Sequence, residues 1–170
     1  MTRWLFGKLP THGDFVARGV DPDVRAGLDA WLTGEMEQAR AVWKDDFDMR
    51  YELAPVWHFV DGDAARGWSG GILCASADRV GRKFPLVVAA PASDAQDAVA
   101  VSAGCLEAVA TAFAQGWTAD RLHEAPIAPG ILPWTPERAG WALVGEDGPV
   151  AQRDGPRPAG VIRTMMELAA

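Results

Sequence analysis

The chain has 170 residues, 49% of them apolar and 23% charged, with a formal charge of -7. That length holds one ordinary domain with a sizeable core, and the composition excludes a disordered or fibrous chain. The acidic balance argues against nucleic acid as a partner, because phosphate backbones reward a basic face.

In chain order, residues 3–8, "RWLFGK", read as a short strand, and its exit, "GKLPTHGDF" at 7–15, packs Lys8, Thr11, His12, Gly13 and Asp14 into one loop. A helix follows, with Asp21 as N-cap and Pro22 at the first helical position, where its missing N–H costs nothing. Val24, Leu28, Trp31, Leu32, Met36, Ala39 and Trp43 give that helix a one-sided apolar stripe. Gly27 and Gly34 weaken it by about 1 kcal/mol each relative to Ala. "VWHFV" at 56–60 and "GGILCAS" at 70–76 read as strands, and "FPLVVAAP" at 84–91 as a strand covered on both faces. The connection "ADRVGRK" at 77–83 is short enough to require an antiparallel hairpin.

Ser93 is placed to cap a second long helix, with Asp94 and Asp97 in its first turn and Gly116 at its end. Its stripe is Ala98, Val101, Cys105, Leu106, Val109 and Phe113. A short helix fits 119–125, the four prolines of 125–140 make that segment irregular, and "WALVG" at 141–145 reads as a strand. Residues 146–160 read as a mobile loop and "VIRTMMEL" at 161–168 as a helical turn or two. The sum is a single α+β domain spanning 1–170: a mostly antiparallel sheet with helices on both faces. The N-terminal apolar run is too short for a signal peptide, and no uncharged run approaches the ~20 residues of a membrane helix. A cytoplasmic location without membrane insertion is therefore expected.

Cys74 and Cys105 lie far apart and outside any C-x-x-C pair, which argues against zinc and for buried thiols in a reducing compartment. Gly67-Trp68-Ser69-Gly70-Gly71 matches the nucleophile elbow G-x-S-x-G, with His123 in the right order. That elbow needs a strand turning into a helix, and here the motif leads into a strand instead. Gly7-Lys8 is followed by Leu9, so the phosphate-loop spacing is absent. His12, His58 and His123 have no metal-ligand spacing to one another. His58 alternates within a strand as a structural histidine, whereas His12 beside Asp14 could be an oriented base with no identifiable nucleophile.

Two polar loops remain: Lys8, Thr11, His12 and Asp14 in one, and Asp78, Arg79, Arg82 and Lys83 in the other. They could lie side by side, with Asp14 paired to Arg79 or Arg82 as a structural clamp. Alternatively they form a recognition patch for an anionic or phosphorylated partner surface. Gly13 is expected to supply a backbone conformation that other residues resist. Of eight tryptophans, Trp31, Trp43 and Trp57 fall on core stripes. Trp134, between prolines, is the one to weigh as a partner contact against packing under its loop.

"GKLPTHGDFVARG", Trp31 in the first long helix, "APVWHF" at 54–59, "WSGGI" at 68–72 and "DRVGRKFPL" at 78–86 together resemble the N-terminal domain of the TagF (ImpM) proteins of bacterial type VI secretion. The motif positions carried over are Gly7, Lys8, Leu9, Pro10, Gly13, Asp14 and Phe15 in the first loop. In the hairpin they are Asp78, Arg79, Gly81, Arg82, Phe84 and Pro85. Where the family usually shows Pro-Ser before the hairpin, this chain has Ala75-Ser76. The resemblance implies a longin- or profilin-like α/β layering and a non-enzymatic cytoplasmic regulator. It also implies post-translational repression through the secretion system's forkhead-associated scaffold protein, no cofactor and no catalytic residues. A longin-like adaptor docking on a GTPase, or a small serine hydrolase using Ser69, are the competing readings.

Overall fold

The computed structural model describes residues 2–169. Seven strands form one fully antiparallel sheet: β1 (Trp4–Gly7), β2 (Val16–Arg18), β3 (Trp57–Asp63), β4 (Gly67–Cys74), β5 (Leu86–Ala92), β6 (Gly140–Gly145) and β7 (Gly148–Asp154). Their spatial order is β2-β1-β5-β4-β3-β6-β7. The helices are α1 (Pro22–Trp43), α2 (Phe47–Glu52), α3 (Ala95–Gln115), α4 (Ala119–Glu124) and α5 (Val161–Glu167). The expected α+β class, with an antiparallel sheet and helices on both faces, is what the chain adopts.

The two faces are packed by different means. On one, α1, α2 and α5 enclose a large-residue core of Leu28, Leu32, Met36, Tyr51, Trp57, Phe59, Trp141, Ile162 and Met165. On the other, α3 and α4 lie on a core of smaller side chains, among them Ile72, Val88, Ala90, Val101, Cys105 and Val109. Close approach is what makes the second face work. A Cβ at Gly70 in β4 would stand 1.8 Å from the Ala98 carbonyl oxygen, so only glycine lets the α3 backbone sit on the sheet. The apolar composition of α3, enough in length and hydropathy for a membrane span, is thereby accounted for by packing: Ala98, Val99, Val101, Cys105 and Val109 are buried. Burial pushes the thiols of Cys74 and Cys105 up to about 12, so neither is a reactive thiolate.

The α1 start is as read: Asp21 accepts from the Asp23 N–H, and Pro22 opens the helix. Val24 and Phe113, assigned to apolar stripes, are in fact exposed at 41% and 36%. The α3 cap is Asp94 rather than Ser93. The Asp94 carboxylate reaches the Asp97 N–H, while Ser93 gives its own N–H and hydroxyl to the Asp97 carboxylate, a reciprocal box shifted by one residue. Residues 146–160 are not a mobile loop throughout. Gly148–Asp154 is the edge strand β7, joined to β6 by a tight turn ending in Asp147-Gly148. Its Gly-Pro-Val-Ala-Gln-Arg-Asp sequence carries no apolar alternation, because ladder hydrogen bonds hold it and little of it besides Ala151 packs on the core. The short β2 and α2 likewise carry too few residues to show a period of their own.

Candidate functional site

The first loop leaves β1 at Gly7, whose φ of +137° and whose missing Cβ, which would lie 2.0 Å from the Pro85 carbonyl oxygen, let the chain turn against the base of β5. Lys8 is then directed inward and is only 7% exposed. A buried ammonium needs compensation, and Asp78 at the start of the 77–83 turn supplies it, with Lys8 Nζ 3.0 Å from Asp78 Oδ2. Lys8 also donates to the Arg82 carbonyl at 3.2 Å and stands 5.2 Å above the Phe15 ring. Asp78 closes the turn on its other side: Oδ1 accepts from the N–H groups of Val80 and Arg82, and Oδ2 accepts from Arg82 Nε at 2.7 Å. Burial alone would raise the Asp78 carboxyl, but the Lys8 ammonium and the Arg82 N–H and guanidinium outweigh it and hold the group well below the usual carboxylate range.

Loop and hairpin do lie side by side. The Arg79 N–H donates to the His12 carbonyl at 2.8 Å, Arg82 Nη2 donates to the Gly13 carbonyl at 2.7 Å, and Ser76 Oγ donates to the Lys8 carbonyl at 2.7 Å. Ser76 is further tied to the buried Tyr51 hydroxyl, which accepts from the Ser76 N–H and donates to its carbonyl. The loop's other flank meets α4: Thr11 Oγ1 donates to the Trp117 carbonyl at 2.8 Å, and His12 Nε2 accepts the Ala119 N–H at 3.0 Å. Accepting there places the ring proton on Nδ1 and uses His12 as a strut.

Two expectations for this loop are corrected. Asp14 does not clamp the hairpin; it is exposed, and among the described residues its carboxylate accepts only the N–H of the next one, Phe15. The acid that clamps is Asp78, because it sits at the turn's own first position, where one carboxylate can reach the turn N–H groups, Arg82 and Lys8 together. Gly13 does not need a left-handed backbone either, since its φ lies outside that region. What it provides is room: a Cβ there would be 3.2 Å from the Arg79 guanidinium.

The TagF N-terminal domain family, associated with type VI secretion, matches residues 5–125, which include both loops, β2 to β5 and all of β1 but its first residue. The chain belongs to this family. No curated protein matches the sequence. Among solved structures, the crystal structure of PA0076 from Pseudomonas aeruginosa PAO1 resembles it with a TM-score of 0.66 and 20% identity, covering 97% of this chain and 94% of that one. At that identity the likeness is one of fold. Within the TagF domain, the first-loop and hairpin motif positions are thus the two halves of one interlocked structure. Just before the hairpin, Ser76 makes the contacts with the first loop, and Ala75 packs against the large-residue core.

The remaining candidates are placed elsewhere. Ser69 is buried in mid-strand in β4, paired with Asp61 and Pro91, not exposed on an elbow. His123 Nε2 hydrogen-bonds the Arg3 carbonyl at 3.1 Å, and Arg3 in turn donates to the carbonyls of His123 and Ala125. The structure gives Ser69 no histidine among its hydrogen-bond partners. His58 pairs with the Ser102 hydroxyl at 3.1 Å in the core, and burial lowers it to about 4. Trp134 packs under its loop: it is 4% exposed and lies with Val60 of β3, Ala142 of β6 and Ala98 and Val99 of α3, because the proline-rich segment folds back onto that face of the sheet.

Sequence reasoning passed over Glu35. It is 4% exposed, and its carboxylate accepts the N–H groups of Gly160 and Ile162, closing the start of α5 from across the core. The signal was present: Leu28, Leu32, Glu35 and Ala39 share one face of α1, so an acid stands on an apolar stripe.

Proposed function

We propose that this domain is a non-enzymatic, cytoplasmic regulator of type VI secretion that represses the system by binding its forkhead-associated scaffold protein. The match of residues 5–125 to a secretion-associated family carries the reading. The placement of the candidates supports it: His12 and His123 are engaged in joining chain segments and Ser69 is buried in β4, whereas the turn at 78–82 presents Arg79, Val80 and Arg82 on the surface. Val80 is 70% exposed, with Phe15 at 38% on the adjoining loop, and a mixed arginine and apolar tip on a fixed frame suits protein binding.

The test is titration calorimetry of the purified domain into the purified scaffold from the same bacterium, paired with a secretion assay in a strain lacking the gene. Saturable binding together with increased secretion in that strain is the expected result. Absence of binding in calorimetry and in co-elution removes the scaffold from the reading, and unchanged or reduced secretion removes repression.

A further inference from the structure

The four cations of the two loops are not equivalent. Lys8 is buried and bound to Asp78, Arg82 spans Asp78 and the Gly13 carbonyl, and Lys83 reaches Glu52 at 2.7 Å. Arg79 is different: among the described residues its side chain makes no hydrogen bond and no ion pair, although its own N–H is fixed on His12. Its guanidinium lies over Gly13, in space that any side chain at 13 would crowd. Beside it, the N–H groups of Gly13 and Asp14 donate no hydrogen bond among the described residues. An exposed arginine on a fixed turn, whose donors no group among the described residues takes, next to two loop N–H groups likewise free of acceptors there, is a set of donors suited to an oxyanion.

We propose that Arg79, seated over Gly13, reads an oxyanion side chain on the protein partner, a carboxylate or a phosphoryl group, while Lys8, Asp78 and Arg82 serve the fold. The inference rests on the scaffold-binding reading for the partner's identity but not for the site's chemistry. Arg79 can offer two parallel N–H donors to one planar or tetrahedral anion, which an ammonium cannot. Gly13 leaves room for the guanidinium, and the Asp78 network fixes the turn beneath it, so only the Arg79 side chain itself has to be ordered on binding. The exposed Asp14 carboxylate is the neighbour that opposes an anion, and its removal is expected to help.

Two measurements decide it. In the first, Nε–H resonances of the arginines in the intact domain are followed by NMR while inorganic phosphate or acetate is added at constant ionic strength. Arg79 is expected to shift with saturation, more steeply in Asp14→Asn. A response to phosphate alone assigns a phosphoryl group, and a response to both includes a carboxylate. Arg25 is also without a side-chain partner among the described residues, so a shift at Arg79 no larger than at Arg25 overturns the site.

In the second, Arg79→Gln and Arg79→Lys are titrated against the scaffold. Arg79→Gln is expected to melt with the wild type and to bind about tenfold or more weakly. Arg79→Lys should recover only part of the loss. Wild-type affinity in a folded Arg79→Gln overturns the proposal and leaves the scaffold reading standing. If the wild type itself does not bind, the scaffold reading fails, and the NMR result alone decides Arg79.

Discussion

The hairpin at 77–83 and the C-terminal segment at 155–167 are both secured to distant parts of the chain through buried polar groups, but by opposite chemistry. The hairpin is held by charge: a buried lysine and an exposed arginine converge on one carboxylate. The C-terminal segment is held mostly by neutral donors, to which the Arg50 guanidinium adds a bond to the Met166 carbonyl and Arg153 one to the Thr164 hydroxyl. The indole N–H groups of Trp31, Trp141 and Trp57 donate to the carbonyls of Pro158, Gly155 and Val161, and Glu35 is the one carboxylate, accepting only backbone N–H groups. A charge network fixes a turn whose tip remains in water. Indole donors instead bury their rings in the same core that the segment closes. Three of the eight tryptophans thus dock α5 and the glycine-proline stretch before it.

Breaking the charged side is expected to cost most. Lys8→Met removes the cation paired with a buried carboxylate and should destabilise by about 3 kcal/mol, a fall of roughly 6–12 °C in Tm for a chain of this size. Thermal melting checks this; a loss under about 1 kcal/mol would mean that Arg82 alone satisfies Asp78.

Acid should act in two steps. Burial holds His58 at about 4 against an ordinary 6.5, so the unfolded chain takes up the proton first. Stability should therefore decline by on the order of 2–3 kcal/mol as pH falls from 6.5 towards 4. The second step belongs to the hairpin. Asp78 is held below the ordinary 3.8, so its contribution is intact above that value and is lost as pH falls below it. Urea melts across this range should show both steps in the wild type, the upper one missing in His58→Gln and the lower one reduced in Asp78→Asn, because Asp63 and Asp120 are also held below the ordinary carboxylate value.

Breaking the neutral side is expected to cost somewhat less. Glu35→Ala leaves two N–H groups without an acceptor and should cost about 2 kcal/mol, with hydrogen exchange rising first in α5. The two regions share no partner, so Lys8→Met and Glu35→Ala should add within about 0.5 kcal/mol. A larger coupling would show that hairpin and strap form one cooperative unit. The smallest effect concerns α1, which carries the strap. A Cβ at Gly34 would meet nothing within 4 Å, so Gly34→Ala should stabilise by about 0.5–1 kcal/mol. At Gly27 a Cβ would meet the Arg157 guanidinium at 2.2 Å, so the same change there should gain less, because that arginine must first move.

Elements whose signals are local can be read from the residues alone. Apolar periodicity with the Asp21-Pro22 start specifies α1, the continuous apolar run specifies the doubly covered β5, and Gly116 ends α3, because caps and periodicity act within a few residues. For the first loop and the hairpin, the sequence offers side-by-side packing as one reading only. Which side chains join them was settled by tertiary packing. Asp14 and Asp78 are equally acidic in sequence, and the choice between them depended on which carboxylate the turn geometry could bury against Lys8. Glu35, β7 and the burial of Trp134 were settled in the same way, by partners 125 residues away, by a ladder and by a folded-back segment. Contacts of that range are fixed by how the layers pack and leave little trace in neighbouring residues.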